Sequence, residues 1–365
     1  VTVARLVATV AAPLDPASAD APQVLHWPGR RLLIQRGDTE LVALDLDVAT
    51  AGGRLVEARF PAPWPRRFGS VTVSPEGAAA VFVGVHAVRC VEATGATRWE
   101  VRHGCWEGEQ PHMHTSFAEY ADDKDHRYAD NGSAAFSADG KLVWAHVRGP
   151  LRDDREAEND QELWLVIDAT NGRVLGRANT MTVASSSEHT PHPDPTQIGL
   201  SVGEGEEGSP VLWGRWDGQR LTIEQIDIER ILLAVSPSGR HLLTVPLEQG
   251  SLSLHRVDDG AVLREVDAQG TVTAHPGNTG GDRIYWDYEA AFVDEDTVVA
   301  GTSECDAEYG TARHWLVDVQ GMTLRGEISY PFPVSGPPRS AGDGTWYTVS
   351  EDQTSLHLWR PADDD

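Results

Sequence analysis

The sequence predicts an all-β fold in which four-stranded antiparallel blades form a ring. Three observations carry that expectation. A unit of four short strands recurs along the 365 residues. The tight turns that mark it return seven times at blade-like spacing. The two ends of the chain also hold complementary parts of one unit.

The clearest unit runs from Ile231 to Val266. An apolar run, Leu232-Leu233-Ala234-Val235, stops at Ser236-Pro237-Ser238-Gly239, where proline presets φ and glycine accepts a positive φ. Leu242-Leu243-Thr244-Val245 follows, then the alternating Leu252-Ser253-Leu254-His255. The turn Asp258-Asp259-Gly260 leads into the closing alternation from Val262 to Val266. These are four short strands joined as a meander.

The first turn of each unit serves as its marker. Markers fall at His26-Trp27-Pro28-Gly29, Ser74-Pro75-Glu76-Gly77, Ser137-Ala138-Asp139-Gly140, His192-Pro193-Asp194-Pro195, Ser236–Gly239, Val293-Asp294-Glu295-Asp296 and Ala341-Gly342-Asp343-Gly344. They are about 44 to about 63 residues apart, the range of propeller blades with loop insertions. Third strands are expected at Leu41–Leu44, Val88–Val91, Leu163–Val166, Val211–Gly214, Leu252–His255 and His314–Val317.

The last unit offers only three strands, ending with Ser355-Leu356-His357-Leu358-Trp359, and the alternating Val3–Val10 can supply the fourth. Such pairing ties a ring shut and removes an exposed sheet edge. The expected architecture is a seven-bladed β-propeller forming a single domain. Its approximate blades are 15–60, 68–104, 131–180, 187–227, 229–268, 286–329 and 336–360 with 2–10.

The SPxG-like first turns, the Leu-His-Leu-Trp strand near the C terminus and the glycine turns before the fourth strands resemble WD40 and YVTN-type β-propellers. The resemblance spans nearly the whole chain as a repeat pattern. It lacks the Gly-His pair and the Trp-Asp that end WD40 third strands. It implies the fold, and a recognition role as the expectation for function.

The formal net charge of −26 argues against a nucleic-acid partner, because phosphate binding requires clustered Lys and Arg. No apolar stretch reaches the length of a membrane span, and residues 1–12 lack the basic start of a signal peptide. Cys90, Cys105 and Cys305 show no CxxC spacing, so neither a disulfide framework nor a zinc ribbon is indicated. A reduced, cytoplasmic setting is expected. The preference for arginine over lysine fits the codon usage of a GC-rich bacterium, with a salt-adapted one as the alternative.

Long insertions fall in the connections between second and third strands and between successive units, which share one face of such a ring. They are Phe60–Gly69, His103–Gly132, Arg148–Gln161, Met181–Thr190, Gln269–Tyr288, Ser303–Arg313 and Ser329–Pro338. Their aromatic content argues for order rather than disorder. Trp64, Trp106, Tyr120, Tyr285, Trp286, Asp287 and Tyr309 are therefore expected to wall a ligand pocket at the mouth of the central channel.

Within that face, His112 and His114 stand two apart, so on an extended segment they point to one side. With Glu119 they form a candidate site for one divalent metal ion such as Zn²⁺, Fe²⁺ or Mn²⁺, and the HxHxxxxE spacing resembles part of the cupin motif. Glu188 and His189 align, by the turns, with channel-mouth positions that include Glu289, which makes these three the candidate acid, base or ligand groups. Nucleophile-elbow, phosphate-loop and HExxH motifs are absent from the sequence. The functional expectation is a module binding a protein, peptide or small molecule at the loop-rich face. The alternative is a metal-assisted lyase, hydrolase or isomerase using the same pocket.

Overall fold

The computed structural model describes residues 2–53, 57–107, 112–124, 126, 131–152, 154 and 161–362. The N-terminal strand β1 (Thr2–Ala11) stands apart from the unit that follows it. That first unit is β2 (Gln23–Trp27), β3 (Arg30–Arg36), β4 (Glu40–Asp45) and β5 (Glu57–Pro61). The second is β6 (Gly69–Val73), β7 (Ala79–Gly84), β8 (Ala87–Glu92) and β9 (Thr97–Arg102). The third is β10 (Ser133–Phe136), β11 (Leu142–Arg148), β12 (Glu162–Asp168) and β13 (Val174–Asn179). The fourth is β14 (Ser186–Pro191), β15 (Gln197–Gly203), β16 (Val211–Trp216) and β17 (Leu221–Asp227). The fifth is β18 (Arg230–Val235), β19 (His241–Pro246), β20 (Ser251–Arg256) and β21 (Val262–Asp267). The sixth is β22 (Ala290–Phe292), β23 (Thr297–Gly301), β24 (His314–Asp318) and β25 (Thr323–Ser329). The last strands are β26 (Arg339–Gly342), β27 (Thr345–Val349) and β28 (Ser355–Pro361).

Units one to five are separate four-stranded sheets. The remaining eight strands pair in the order β22-β23-β24-β25-β1-β28-β27-β26. This larger sheet divides at β1, which lies antiparallel to β28 from Ala4 to Ala11 but parallel to β25 only at Thr2 and Val3. The final unit is therefore β26-β27-β28 completed by β1. The N-terminal strand closes the ring as its alternation predicts, and the pairing covers the edge that β28 would otherwise expose.

Strand periodicity explains how the ring packs. Successive side chains of a strand point to opposite faces, and in β7 both faces are buried. Ala79, Val81 and Val83 enter a cluster shared with the third unit, whereas Ala80 and Phe82 enter one shared with the first. β11 repeats the rule, sending Val143, Ala145 and Val147 one way and Trp144 the other. Among the described residues, seven such clusters fill the gaps between successive units, including the gap between the last unit and the first. Burying one of these large side chains contributes about 1.5–3 kcal/mol.

The marker turns each join the first and second strands of their unit. Two details differ from the sequence expectation. The insertion expected over Met181–Thr190 is shorter, because Ser186–Pro191 pairs along its whole length with β15 despite its polar composition. The connection from β4 to β5 holds a short helix, Leu46–Thr50, whose Val48 N–H donates to Asp45 Oδ1 at 3.0 Å.

Candidate functional site

Alternate connections of a meander emerge at opposite ends of its strands. The connections from second to third strands and from unit to unit thus share one end, and contacts between units confirm their proximity. Val183 N donates to Glu204 Oε1 at 2.7 Å, Ser209 N to the Ile228 carbonyl at 2.8 Å and Leu247 N to the Glu229 carbonyl at 3.2 Å. The Tyr288 hydroxyl then donates to the Leu247 carbonyl at 2.6 Å. This hydrogen-bonded line crosses units four to six and carries exposed apolar side chains. Met181 is 83% exposed, Val183 78% and Ile228 56%. Met181 also has φ of +60°, a conformation that side chains bearing a Cβ rarely adopt.

Charged groups on or beside the first strands of different units act on one another. Glu289 of unit six forms an ion pair with Arg339 of the last unit. Burial raises the Glu188 carboxyl pKa, which Arg339 opposes. Burial likewise raises that of Glu289, with Arg339 lowering it and Glu188 raising it further. Arg339, which the sequence reading did not single out, thus acts on the charges of both Glu188 and Glu289.

His189 follows Glu188 in β14 and points to the opposite face. Trp164 Nε1–H donates to His189 Nε2 at 2.9 Å, which leaves the ring proton on Nδ1, facing Ser133 Oγ at 2.8 Å. Burial holds the ring pKa well below its usual value. Both nitrogens are thus engaged within the protein, away from the channel carboxylates.

The connection between β9 and β10 is anchored by aromatic side chains. Tyr120 is buried, its hydroxyl 2.6 Å from His86 Nδ1, and Phe117 packs edge-on to Phe68 with centroids 4.9 Å apart. Behind this anchor His112, His114 and Glu119 lie together, with potential ligand atoms within 4.8 Å of one another. Cys105, His114 and His126 form a second group meeting the same limit. Burial lowers the His114 pKa, while hydrogen bonds, chiefly from Thr115, push the Glu119 carboxyl down to about 2. Burial pushes the Cys105 thiol up to about 11.

No protein family and no curated protein matches the chain by sequence. Solved structures do match it in shape. U3-55K aligns with a TM-score of 0.55 at 10% identity, covering 95% of this chain and 99% of that one. The RRP9 WD40 repeats align with a TM-score of 0.53 at 10% identity, covering 97% and 99%. BamB from Moraxella catarrhalis aligns at 0.50 and 9% identity, covering 90% and 81%. The fold is a WD40-like β-propeller.

Most aromatic groups expected to wall a pocket in this propeller are instead core. Trp64 and Tyr120 fill the gap between the first two blades, and Trp106 that between the third and fourth. Trp286 lies in the gap between the fifth and sixth, its Nε1 donating to the Val266 carbonyl at 3.2 Å. Their apolar area is better covered by the blades beneath the loops than exposed to water. Asp287 is buried too. It accepts from Ser303 N at 3.0 Å and Glu304 N at 2.9 Å at the start of a short helix, Ser303–Asp306, and burial pushes its carboxyl up to about 7. Only Tyr285 and Tyr309 of the set remain partly exposed. Tyr309 donates to Asp282 Oδ2 at 2.8 Å and stacks on His275 with centroids 4.8 Å apart.

No helix among the described residues is long and apolar enough to cross a membrane. A groove of about 750 Å³ lies beside the outer strands β9 and β13, lined by Glu100, Arg102, Arg152, Asp154, Arg173 and Arg177 among others. Its charges are largely paired, Arg102 with Glu100 and Arg177 with Asp154.

Proposed function

We propose that this propeller is a recognition module whose loop-rich face binds a basic protein or peptide segment bearing apolar side chains. The apolar line of Met181, Val183, Ile228 and Leu247 carries the reading. Large apolar side chains in contiguous exposure mark interaction surfaces, and a flexible methionine adapts to a partner's shape. Exposed Glu206, Glu207, Glu229, Glu248 and Glu304 border the line. Together with the net charge of −26, they favour a basic partner by complementarity and by steering its approach. The enzyme reading gains nothing comparable, because a base at His189 would need a free ring nitrogen.

The reading is tested with a triple variant, Met181→Glu, Val183→Glu and Ile228→Glu. Cross-linking and affinity capture should identify a basic partner for the parent protein and lose it in the variant, at unchanged thermal midpoint. Val262→Glu, an exposed position on the outer strand β21, should retain it. A partner held equally by all three proteins would move recognition to another surface.

A further inference from the structure

We infer that the connection between β9 and β10 carries a transition-metal site whose protein ligands are Cys105 Sγ, His114 Nε2 and His126 Nε2, with Glu119 and Asp123 orienting the two rings. The Nε2 atoms of His114 and His126 stand 3.2 Å apart. His114 Nδ1 is hydrogen-bonded to Glu119 Oε2 at 3.2 Å, and His126 Nδ1 lies at ion-pair distance, 3.0 Å, from Asp123 Oδ2 without hydrogen-bond geometry. An ionised carboxylate only accepts, so His114 Nδ1 carries its proton and His114 Nε2 presents a lone pair to His126 Nε2. A cation held by both Nε2 atoms takes the place of a ring proton between them. Tetrahedral Zn²⁺ with bonds of about 2.0–2.1 Å puts its nitrogens about 3.4 Å apart, close to the separation here.

The carboxylate–histidine–metal arrangement fixes a ring's tautomer and raises its basicity as a ligand, and Glu119 with His114 supplies one such pair, its Nε2 beside that of His126. Cys105 is the third donor. Its sulfur falls within 4.8 Å of one nitrogen of each ring and accepts a hydrogen bond from Glu107 N at 3.3 Å. One thiolate and two imidazoles select Zn²⁺, Co²⁺ or a copper ion over Mg²⁺ and Ca²⁺, and three protein ligands leave one tetrahedral position for water or an incoming donor. When the cation binds, the sulfur–metal bond forms and the thiol proton passes to solvent.

The grouping differs from the His112, His114 and Glu119 set suggested by the sequence. Glu119 Oε1 already accepts from Thr115 N at 3.1 Å and from Thr115 Oγ1, while Oε2 faces His114, which makes Glu119 a positioning group for that ring. His112 is exposed, its ring centroid 4.7 Å from that of His114. The inference stands independently of the recognition face, since none of these residues belongs to the apolar line.

The test uses protein made without a histidine tag, stripped with chelator and titrated with Co²⁺ and then Zn²⁺. One Co²⁺ per chain should bind with a thiolate-to-cobalt charge-transfer band, and Zn²⁺ should displace it. Cys105→Ser should abolish the band. Glu119→Gln and Asp123→Asn should keep it while weakening affinity by about 10- to 100-fold each. His126→Ala should weaken affinity more than either, and His112→Ala should change nothing. Because a buried cysteine variant can fail to fold, zinc-edge X-ray absorption of the parent protein provides the second reading. It should report one sulfur at about 2.3 Å with nitrogens at about 2.0–2.1 Å. The assignment is overturned by failure to take up either ion stoichiometrically, or by a zinc shell without sulfur. It is equally overturned if metal is lost on His112→Ala while the band survives Cys105→Ser.

Discussion

His314 is held as a neutral ring. Its Nε2 lies 3.0 Å from the Gly336 carbonyl, and the Tyr330 hydroxyl, which accepts from Trp346 Nε1 at 2.9 Å, meets Nδ1 at 2.6 Å. Burial pushes the ring pKa down to about 4. An unfolded histidine titrates near pH 6.5. As pH falls from about 6.5 to 4, the unfolded chain therefore takes up a proton that the folded chain refuses, and stability is lost. Asp287 has the opposite sign. Its carboxyl, raised to about 7, makes ionisation unfavourable to the fold as pH rises from about 4 to 7. Melts of the parent and His314→Gln between pH 7 and pH 4 separate the two, since the aspartate contribution is common to both. The variant should lose less of its thermal midpoint over that range. Equal losses would show that His314 is not the source of acid sensitivity.

At the scale of elements, close approach is as specific as burial. A Cβ built on Gly69 would lie 1.9 Å from the Val83 carbonyl oxygen and 2.8 Å from Trp64 Nε1. The first is backbone of the paired strand β7 and cannot step aside. Gly69→Ala should cost about 1–3 kcal/mol, the usual range for overpacking, read as a lower denaturant midpoint with unchanged slope. Gly77→Ala, at a turn with φ of +69° and open space around it, would strain the backbone without a clash and should cost less. The turns were legible because proline and glycine act locally: Ser236-Pro237-Ser238-Gly239 needs no distant partner to bend. The loops were not legible in the same way. Trp64, Tyr120 and Trp286 could be recognised as ordered, yet whether a tryptophan faces a pocket or the core depends on what lies beneath it. Cys105 stands in an acidic stretch of sequence, and only folding brings His114 and His126 to its sulfur. The alignment of units gave Glu188 and Glu289 equivalent places, whereas the ion pair of Glu289 with Arg339 could not be read from it.

For the whole molecule, the decisive contact is β1 on β28. Apolar clusters join neighbour to neighbour around the ring, so a blade weakened at one point loosens two interfaces. Val10 lies in the cluster between the last blade and the first, and Ala4 in the cluster between the sixth and the last. Deleting Thr2–Ala11 should strip the outer strand from the last blade, expose the edge of β28 and replace a single cooperative melt by a broad transition with concentration-dependent aggregation. A synthetic peptide of that segment should restore the sharp transition. A truncated chain melting as sharply as the parent would mean that six complete blades and a three-stranded one suffice.

The same strand sets a timetable for biogenesis. β1 leaves the ribosome before any other strand of the ring, and its main antiparallel partner, β28, emerges after all the others. Blades one to six can each form as their four strands appear, but the seam stays open until translation has passed Pro361. For most of synthesis the chain therefore carries an unpaired amphipathic strand and an unfinished circle. The interval before closure is when its edges are most open to pairing with another copy, which places the risk of misassembly in the growing chain rather than in the finished propeller.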